Sequence, residues 1–178
     1  MYQAELQART TFLKTLLMAT KEIGAPVPLT PFADWDYFYT NAKLEWRADN
    51  PIDGDCTYVC VPKGFVTDLA STPRIFWNLF PPAAAYSYPA IIHDYLYWFQ
   101  PCSRRAADNV FRIAMKELGV SSAKAFTVFG AVRAAGFAAW QHNFDDRSSG
   151  RRRVLKQMPD DMTITWKEWQ LRDDVFDD

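Results

Sequence analysis

The fold of this chain is decided by two stretches, Ile92-His93-Asp94-Tyr95-Leu96-Tyr97 and Ala106-Ala107-Asp108-Asn109-Val110-Phe111. Both are largely apolar, and the first holds one of only two histidines in the sequence. Titratable side chains are rarely buried without a partner. His93 therefore needs a polar partner. The spacing between the two stretches can place the Asp108 carboxylate against His93. The pattern predicts two packed helices that share a polar contact.

The connection between these stretches is short enough to fix how they pack. Helical patterns over residues 84–98 and 103–118 leave only residues 99–102 between them. Helices joined so closely usually lie side by side and antiparallel. His93 and Asp108 are equally far from the middle of the turn, so they should lie at the same height on facing helices.

The predicted contact has the form of a general base. Asp108 can accept a hydrogen bond from one ring nitrogen of His93 and leave the other nitrogen facing water. Tyr97 lies one turn after His93 on the same helix face, within reach of Asp108. We therefore interpret His93, Asp108 and Tyr97 as candidate catalytic residues.

Two further carboxylates are candidates for a divalent cation site. Asp94 points about 100° round the helix from His93, so it can serve a separate role at the same rim. Asp68 lies where the β pattern gives way to helices. Carboxylate oxygens suit a hard cation such as Ca²⁺, Mg²⁺ or Mn²⁺, whereas the low histidine count and the cysteine spacing disfavour zinc.

A purely structural interpretation of the same residues stays open. The His–Asp pair can be a buried polar contact that sets the register of the helical hairpin. Asp68 can bond backbone donors in the turn that follows it. Asp94 can pair with Arg133 or with Arg74.

The remaining pattern predicts an α+β domain. Alternating apolar residues and turn signals over residues 35–67 predict a small antiparallel sheet. A third core helix is predicted over residues 122–142, where Gly130 and Gly136 allow close packing against a neighbour. We expect a small antiparallel β-sheet packed on a bundle of three to four α-helices, with an appended N-terminal helix. A short strand is also expected over residues 162–166.

The chain divides into three regions. Residues 1–31 hold an amphipathic helix over residues 2–23 and a Pro-rich tether. Residues 32–145 form the core domain, and residues 146–178 form a charged C-terminal extension. The N-terminal helix can fold onto the core, or it can serve docking or oligomerisation.

Composition excludes some classes of function. Twenty basic and 21 acidic residues give a formal net charge of −1, which provides no reason to expect nucleic-acid binding. No apolar run is long enough to span a membrane, and the N-terminus lacks the form of a signal peptide. Cys56 and Cys60 would lie roughly 13 Å apart on a strand, too far to bridge. We expect these two and Cys102 to be reduced thiols in a cytosolic fold.

The order of the motifs resembles one known family, called domain of unknown function 1353. The motifs that carry the resemblance are Val61-Pro62-Lys63-Gly64-Phe65-Val66-Thr67-Asp68-Leu69-Ala70-Ser71-Thr72-Pro73-Arg74, then His93-Asp94-Tyr95-Leu96-Tyr97, then Ser103-Arg104 with Ala107-Asp108 and Phe111, then Val132-Arg133 with Gly136 and Trp140. The resemblance covers roughly residues 35–140. It implies a bacteriophage or prophage protein, located in the host cytoplasm or the virion, without an established activity. The motifs also supply four candidate binding residues: Ser71, Thr72, Arg74 and Arg133.

A second, local resemblance concerns the helix pair itself. His93-Asp94-x-x-Tyr97 followed by Ala107-Asp108-x-x-Phe111 is similar to the catalytic helix pair of phospholipases A2, particularly the minimal form carried by parvovirus capsids. The resemblance implies that His93 activates a water and that Asp108 and Tyr97 orient it. It also implies that Asp94 holds calcium.

The sequence departs from the phospholipase pattern in three places, the first of which is the short gap between the two motifs. Leu96 stands where secreted phospholipases have a half-cystine. A glycine-rich calcium loop is not recognisable, and residues 64–71 would have to replace it.

Three functions are compatible with the sequence. The first is a hydrolase-like phage protein in which the His93–Asp108 base and an Asp94–Asp68 cation site drive attack of water on an ester or phosphoester. It requires the His–Asp pair to lie at the base of an open pocket. The second is a virion, tail or adaptor protein in which these residues only hold the fold, and residues 2–23 mediate a homo-oligomer or a complex with phage structural proteins. The third is a small-ligand-binding protein that counters a host defence, with no particular ligand favoured.

Overall fold

The computed structural model describes residues 29–49, 56–69 and 87–177. The helix that the sequence predicts over residues 2–23 lies outside these ranges. Within them, two small antiparallel sheets accompany a set of packed helices. The predicted α+β class is therefore confirmed.

Five short strands in the described residues pair into the two sheets. They are β1 (Leu29–Pro31), β2 (Phe38–Thr40), β3 (Leu44–Arg47), β4 (Tyr58–Val61) and β5 (Val66–Thr67). One sheet has the order β1-β2-β5, and β3 pairs with β4 in the other. Along β3, Leu44 and Trp46 are buried while the residue that follows each of them is exposed. This is the period of two expected of a strand with one face in the core.

Three long helices follow the sheets. They are α1 (Ser87–Phe99), α2 (Arg104–Glu117) and α3 (Ser122–Ser148). Ser103 caps α2 by accepting a hydrogen bond from the Ala106 amide at 3.2 Å, which satisfies one of the unpaired donors at a helix start. The three helices pack against one another. Of the helices in the described residues, none combines the length and hydrophobicity needed to cross a membrane.

The central element of the core is α1. Ten of its 13 residues are buried, as expected of a helix that is apolar all round and covered on every side. It packs on β4 and β5 on one side and on α2 and α3 on the others. This central position places its polar residues, His93 and Asp94, inside the protein.

α3 is longer than the sequence predicts. It reaches Ser148 rather than residue 142, and its last turns are mostly polar and lack an apolar period. The apolar pattern stops before the helix does, so it predicts an end that is too early. The helix ends just before Gly150, whose φ of +90° is a left-handed conformation that glycine adopts at little cost.

The predicted strand over residues 162–166 is wrong, because Thr165 starts a short helix, α4 (Trp166–Trp169). Thr165 accepts a hydrogen bond from the Glu168 amide at 3.3 Å, and the Glu168 carboxylate accepts one from the Thr165 amide at 3.0 Å. This reciprocal pair is a capping box. Its Thr-x-x-Glu signature was present in the sequence and outweighs the β-branched residues around it.

The C-terminal segment, which follows α3, packs on β5, an outer strand of the three-stranded sheet. The Val66 amide donates to the Arg153 carbonyl at 2.7 Å, and the Leu155 amide donates to the Gly64 carbonyl at 2.9 Å. Gly64 has a φ of +85°, and a β-carbon there would collide with the Leu155 backbone. Glycine at this position therefore allows the C-terminal segment to approach β5.

The expectation of three reduced thiols is wrong in this structure, which joins Cys56 and Cys102 in a disulfide with Cα atoms 6.3 Å apart. Cys60 is free. The local spacing bears only on Cys56 and its neighbour Cys60, whereas the partner of Cys56 lies 46 positions away. Cys102 belongs to the α1–α2 connection, so the bond ties the hairpin turn to the residues that precede β4.

Candidate functional site

The two helices of the hairpin bring His93 and Asp108 into contact. His93 Nε2 lies 3.0 Å from Asp108 Oδ1, at the height that the position of the turn predicts. The Tyr97 hydroxyl donates to the same Oδ1 at 2.6 Å. The imidazole also stacks on Phe111, with ring centroids 4.6 Å apart. The three predicted catalytic residues are thus joined through one carboxylate oxygen.

The second oxygen of Asp108 is held by two guanidinium groups. Arg133 from α3 donates to Oδ2 at 2.7 Å, and Arg104 donates to it at 3.3 Å. Arg104 was not among the predicted site residues, although its i,i+4 spacing to Asp108 on α2 was a usable signal. Arg133 was predicted as a binding residue, and here it contacts the carboxylate rather than lining an open surface.

Burial and these hydrogen bonds determine the charges of Asp108, His93 and Tyr97. Burial raises the pKa of Asp108, but hydrogen bonds from His93, Tyr97 and Arg133 outweigh it and hold the pKa below its ordinary value. Burial lowers the pKa of His93, against the opposing effect of Asp108. Burial and the bond to Asp108 both raise the pKa of Tyr97. The site therefore holds an ionised carboxylate, a neutral imidazole and a neutral phenol.

These charges fix the tautomer of His93. An ionised carboxylate can only accept hydrogen bonds, so the imidazole proton is assigned to Nε2. Nδ1 then carries a lone pair, and this buried atom has no hydrogen-bond partner in the described part of the chain. A neutral imidazole held by a carboxylate, with the other nitrogen unprotonated, can accept a proton.

The pair is enclosed. His93 and Asp108 both have 0% of their surface exposed. Within the described ranges, the open pocket that the hydrolase hypothesis requires is not seen beside them. A route from solvent to Nδ1 stays a prediction.

The candidate cation ligand Asp94 points from α1 toward β5, whereas His93 points toward α2. Asp94 is buried, and its Oδ2 accepts a hydrogen bond from the Thr67 hydroxyl at the end of β5. Asp68, which follows Thr67 in the chain, is half-buried. The Leu69 amide donates to the Thr67 hydroxyl at 3.1 Å. Thr67 thus connects the turn containing Asp68 to Asp94.

No group of three or more His, Cys, Asp or Glu side chains comes together as metal ligands in the described residues. Carboxylate and hydroxyl oxygens nevertheless suit a hard cation by type, so the site at Asp94 and Asp68 stays a prediction. The candidate binding residues Ser71, Thr72 and Arg74 lie outside the described ranges.

Gly136 makes room for the site. A β-carbon at this buried position on α3 would collide with the Tyr97 hydroxyl and approach Arg104 Nη1 to 3.3 Å. The predicted close packing at Gly136 is confirmed. The same prediction for Gly130 is wrong, since a β-carbon there would meet nothing within 4 Å.

Gly136→Ala is expected to lower the free energy of unfolding by about 1–3 kcal/mol, because the methyl group overpacks the contact between Tyr97 and Asp108. Gly130→Ala is the matched control, since it also lies inside α3 and gains helix propensity of about 1 kcal/mol without a clash. Urea unfolding followed by circular dichroism compares the two. A similar stabilisation of both variants would contradict the packing at Gly136.

A comparison with models of protein families gives a match. A family model described as "Protein of unknown function (DUF1353)" matches residues 36–132, which include the hairpin, the disulfide and the first part of α3. No curated protein and no solved structure matches the chain. Because the family match covers more than half of the 178 residues, this chain belongs to the DUF1353 family of proteins of unknown function.

Proposed function

We propose that the protein is a hydrolase in which His93 activates water for attack on an ester or phosphoester. The observation that carries the proposal is the lone pair on His93 Nδ1, which is buried and has no hydrogen-bond partner in the described residues. A buried polar atom left without a partner costs about 1–3 kcal/mol, and native proteins keep few of them. Use of this nitrogen as a proton acceptor gives a reason for that cost.

The chemistry would proceed by general base catalysis. Water donates its proton to Nδ1 while its oxygen attacks the carbonyl carbon or the phosphorus. The proton then passes from Nδ1 to the leaving oxygen as the bond to that oxygen breaks. Asp108 stabilises the imidazolium formed between these steps, and the hydrogen bond from Tyr97 keeps the carboxylate in place.

The local similarity to phospholipases A2 suggests a phospholipid ester as the first substrate class to examine. A divalent cation held by Asp94 and Asp68 would polarise the reacting oxygen. The phosphoester alternative uses the same water and the same base. A cation dependence of turnover would support the role of the two aspartates.

The disulfide bears on where the protein acts. Disulfides persist in oxidising surroundings and are rare in reducing cytosol. Under the proposed phage origin, the Cys56–Cys102 bond favours the virion over the host cytoplasm.

The test compares the chain's two histidines. His93→Gln retains an amide donor toward Asp108 but removes the proton acceptor, and His142→Gln changes an exposed side chain on α3. Hydrolysis would be measured on phosphatidylcholine vesicles, p-nitrophenyl butyrate and bis-p-nitrophenyl phosphate, each with Ca²⁺, with Mn²⁺ and with chelator. We expect wild type and His142→Gln to turn over one substrate class, and His93→Gln to be slower by about 10²–10⁴-fold. Equal rates for the two variants, or no turnover of any substrate by folded wild type, would reject the proposal.

One observation favours a second candidate, a virion, tail or adaptor protein without catalysis. Asp108 is fully buried and joins α1, α2 and α3, which is what a purely structural polar centre would do. If this candidate is correct, folded wild type and His93→Gln show the same hydrolytic activity. The roles predicted for residues 2–23 in oligomerisation and for a small ligand stay predictions.

A further inference from the structure

A cavity of about 340 Å³ lies between the end of α3 and the C-terminal segment. Small-molecule sites usually have volumes of about 300–1,000 Å³. One wall is the turn after α3, with Gly150, Arg151 and Arg152, and the other wall follows α4. Phe176 also lines the cavity, although only 4% of its surface is exposed. Its ring therefore lies at the bottom of the cavity, and the cavity is separate from the site of the proposed function.

The folded backbone holds both walls of the cavity in place. The Gly150 amide donates to the Arg147 carbonyl at 3.0 Å, which closes the turn after α3. Phe176 forms a β-bridge with Leu155, which fixes the residue at the bottom. A ligand would therefore enter a cavity that is already formed, and it would lose little affinity to the ordering of the protein.

Two opposite charges line the cavity without pairing with each other. Arg152 and Asp173 are both lining residues, and neither forms an ion pair within the part of the chain that the structure describes. The guanidinium carbon of Arg152 lies 5.8 Å from the centre of the Phe176 ring, so this charge lies above the bottom of the cavity. Arg151 differs, because its Nε lies 3.6 Å from an oxygen of Asp146 and its charge already has a partner.

The remaining lining groups offer apolar surface and a neutral polar group. Leu171 is 80% exposed and lies at the rim, whereas the Phe176 ring lies at the bottom. Gln170 is half-buried, and its amide can both donate and accept hydrogen bonds. A small number of polar groups beside apolar surface is the usual composition of a small-molecule site.

We propose that this cavity binds a small zwitterion, which carries one carboxylate and one ammonium group on a short apolar frame. The carboxylate accepts hydrogen bonds from Arg152, whose planar guanidinium suits that geometry. The ammonium group donates to Asp173, and the apolar frame contacts Leu171 and Phe176. A ligand with a single charge would leave either Arg152 or Asp173 partly desolvated and without a partner, which is unfavourable.

The proposal is tested by titrating the full-length protein and following its backbone amide signals by nuclear magnetic resonance. The zwitterions are L-leucine and 6-aminohexanoate, which differ in the distance between their charges. Hexanoate and hexylamine each retain one charge of 6-aminohexanoate. We expect at least one zwitterion to shift the signals of residues 149–152 and 170–176 with a dissociation constant of about 1 mM, and both single-charge analogues to bind at least about tenfold more weakly.

Two results of the titration would overturn the proposal. One is that neither zwitterion shifts these signals at concentrations up to about 20 mM. The other is that hexanoate or hexylamine binds as tightly as the zwitterions, which would make the cavity a site for a single charge.

Variants of the two charged residues test whether they hold the ligand. Arg152→Gln and Asp173→Asn should each weaken binding of the zwitterion at least about tenfold. Lys156→Gln and Asp160→Asn are the matched controls, because they remove the same charges at exposed positions outside the lining. Circular dichroism checks that all four variants are folded. Equal effects of the cavity variants and the controls would contradict the assignment of Arg152 and Asp173 as ligand-binding residues.

Discussion

Replacement of Asp108 by alanine is expected to lower the free energy of unfolding by about 3–5 kcal/mol. The carboxylate is completely buried and accepts hydrogen bonds from His93, Tyr97, Arg104 and Arg133. Its removal leaves a buried imidazole and a buried phenol without their acceptor. It also leaves two guanidinium groups facing a cavity without a counter-charge. Breaking one side of a buried charge network is costly for this reason, whatever the net contribution of the intact network.

Asp146→Ala provides the matched control for Asp108→Ala. Asp146 also pairs with two basic side chains, His142 and Arg151, both at 3.6 Å. Those partners are mostly exposed, and exposed ion pairs contribute about 0–1 kcal/mol. Urea unfolding at neutral pH, followed by fluorescence, gives both values. Equal losses for the two variants would contradict the buried network.

Removal of the disulfide is the second change with a large expected effect. The double variant Cys56→Ser/Cys102→Ser should lose about 2–4 kcal/mol of unfolding free energy. The bond closes a loop of 46 residues, and loop-closure entropy alone predicts about 4 kcal/mol for that length. Reduction of the wild type by dithiothreitol should reproduce the loss, because the same constraint on the unfolded chain disappears.

Cys60→Ser is the control for the disulfide. Cys60 is half-buried and unbonded to another cysteine, so its replacement should change stability by about 0.5 kcal/mol or less. The unfolding midpoint of this variant should still respond to dithiothreitol. Insensitivity of the wild-type midpoint to the reductant would show that Cys56 and Cys102 are not paired.

The hairpin could be predicted because its geometry is local. A short connection forces two helices to lie side by side, and counting outward from the turn places His93 against Asp108. The contact of Tyr97 with the same carboxylate follows from helical periodicity. These inferences need only the turn and the helix period, both of which are visible in the sequence.

The missed contacts depend on the tertiary fold. Arg133 reaches Asp108 from a helix 25 positions along the chain, and its direction depends on how α3 crosses the hairpin. The pairing of Cys56 with Cys102 depends likewise on where β4 lies relative to α1. Thr67 contacts Asp94 only because α1 packs over the end of β5. Spacing in the sequence does not encode these packing relations.

The bond between the Val66 amide and the Arg153 carbonyl has a consequence for where this protein can be cut. The family match ends at residue 132, within α3, whereas the segment covering β5 comes after that helix. A fragment trimmed to the match would leave the hydrogen-bonding edge of β5 open, and uncovered edges invite pairing with other chains. The residues that match the family therefore end before the segment that covers β5. An expression fragment should extend beyond the match to include that segment.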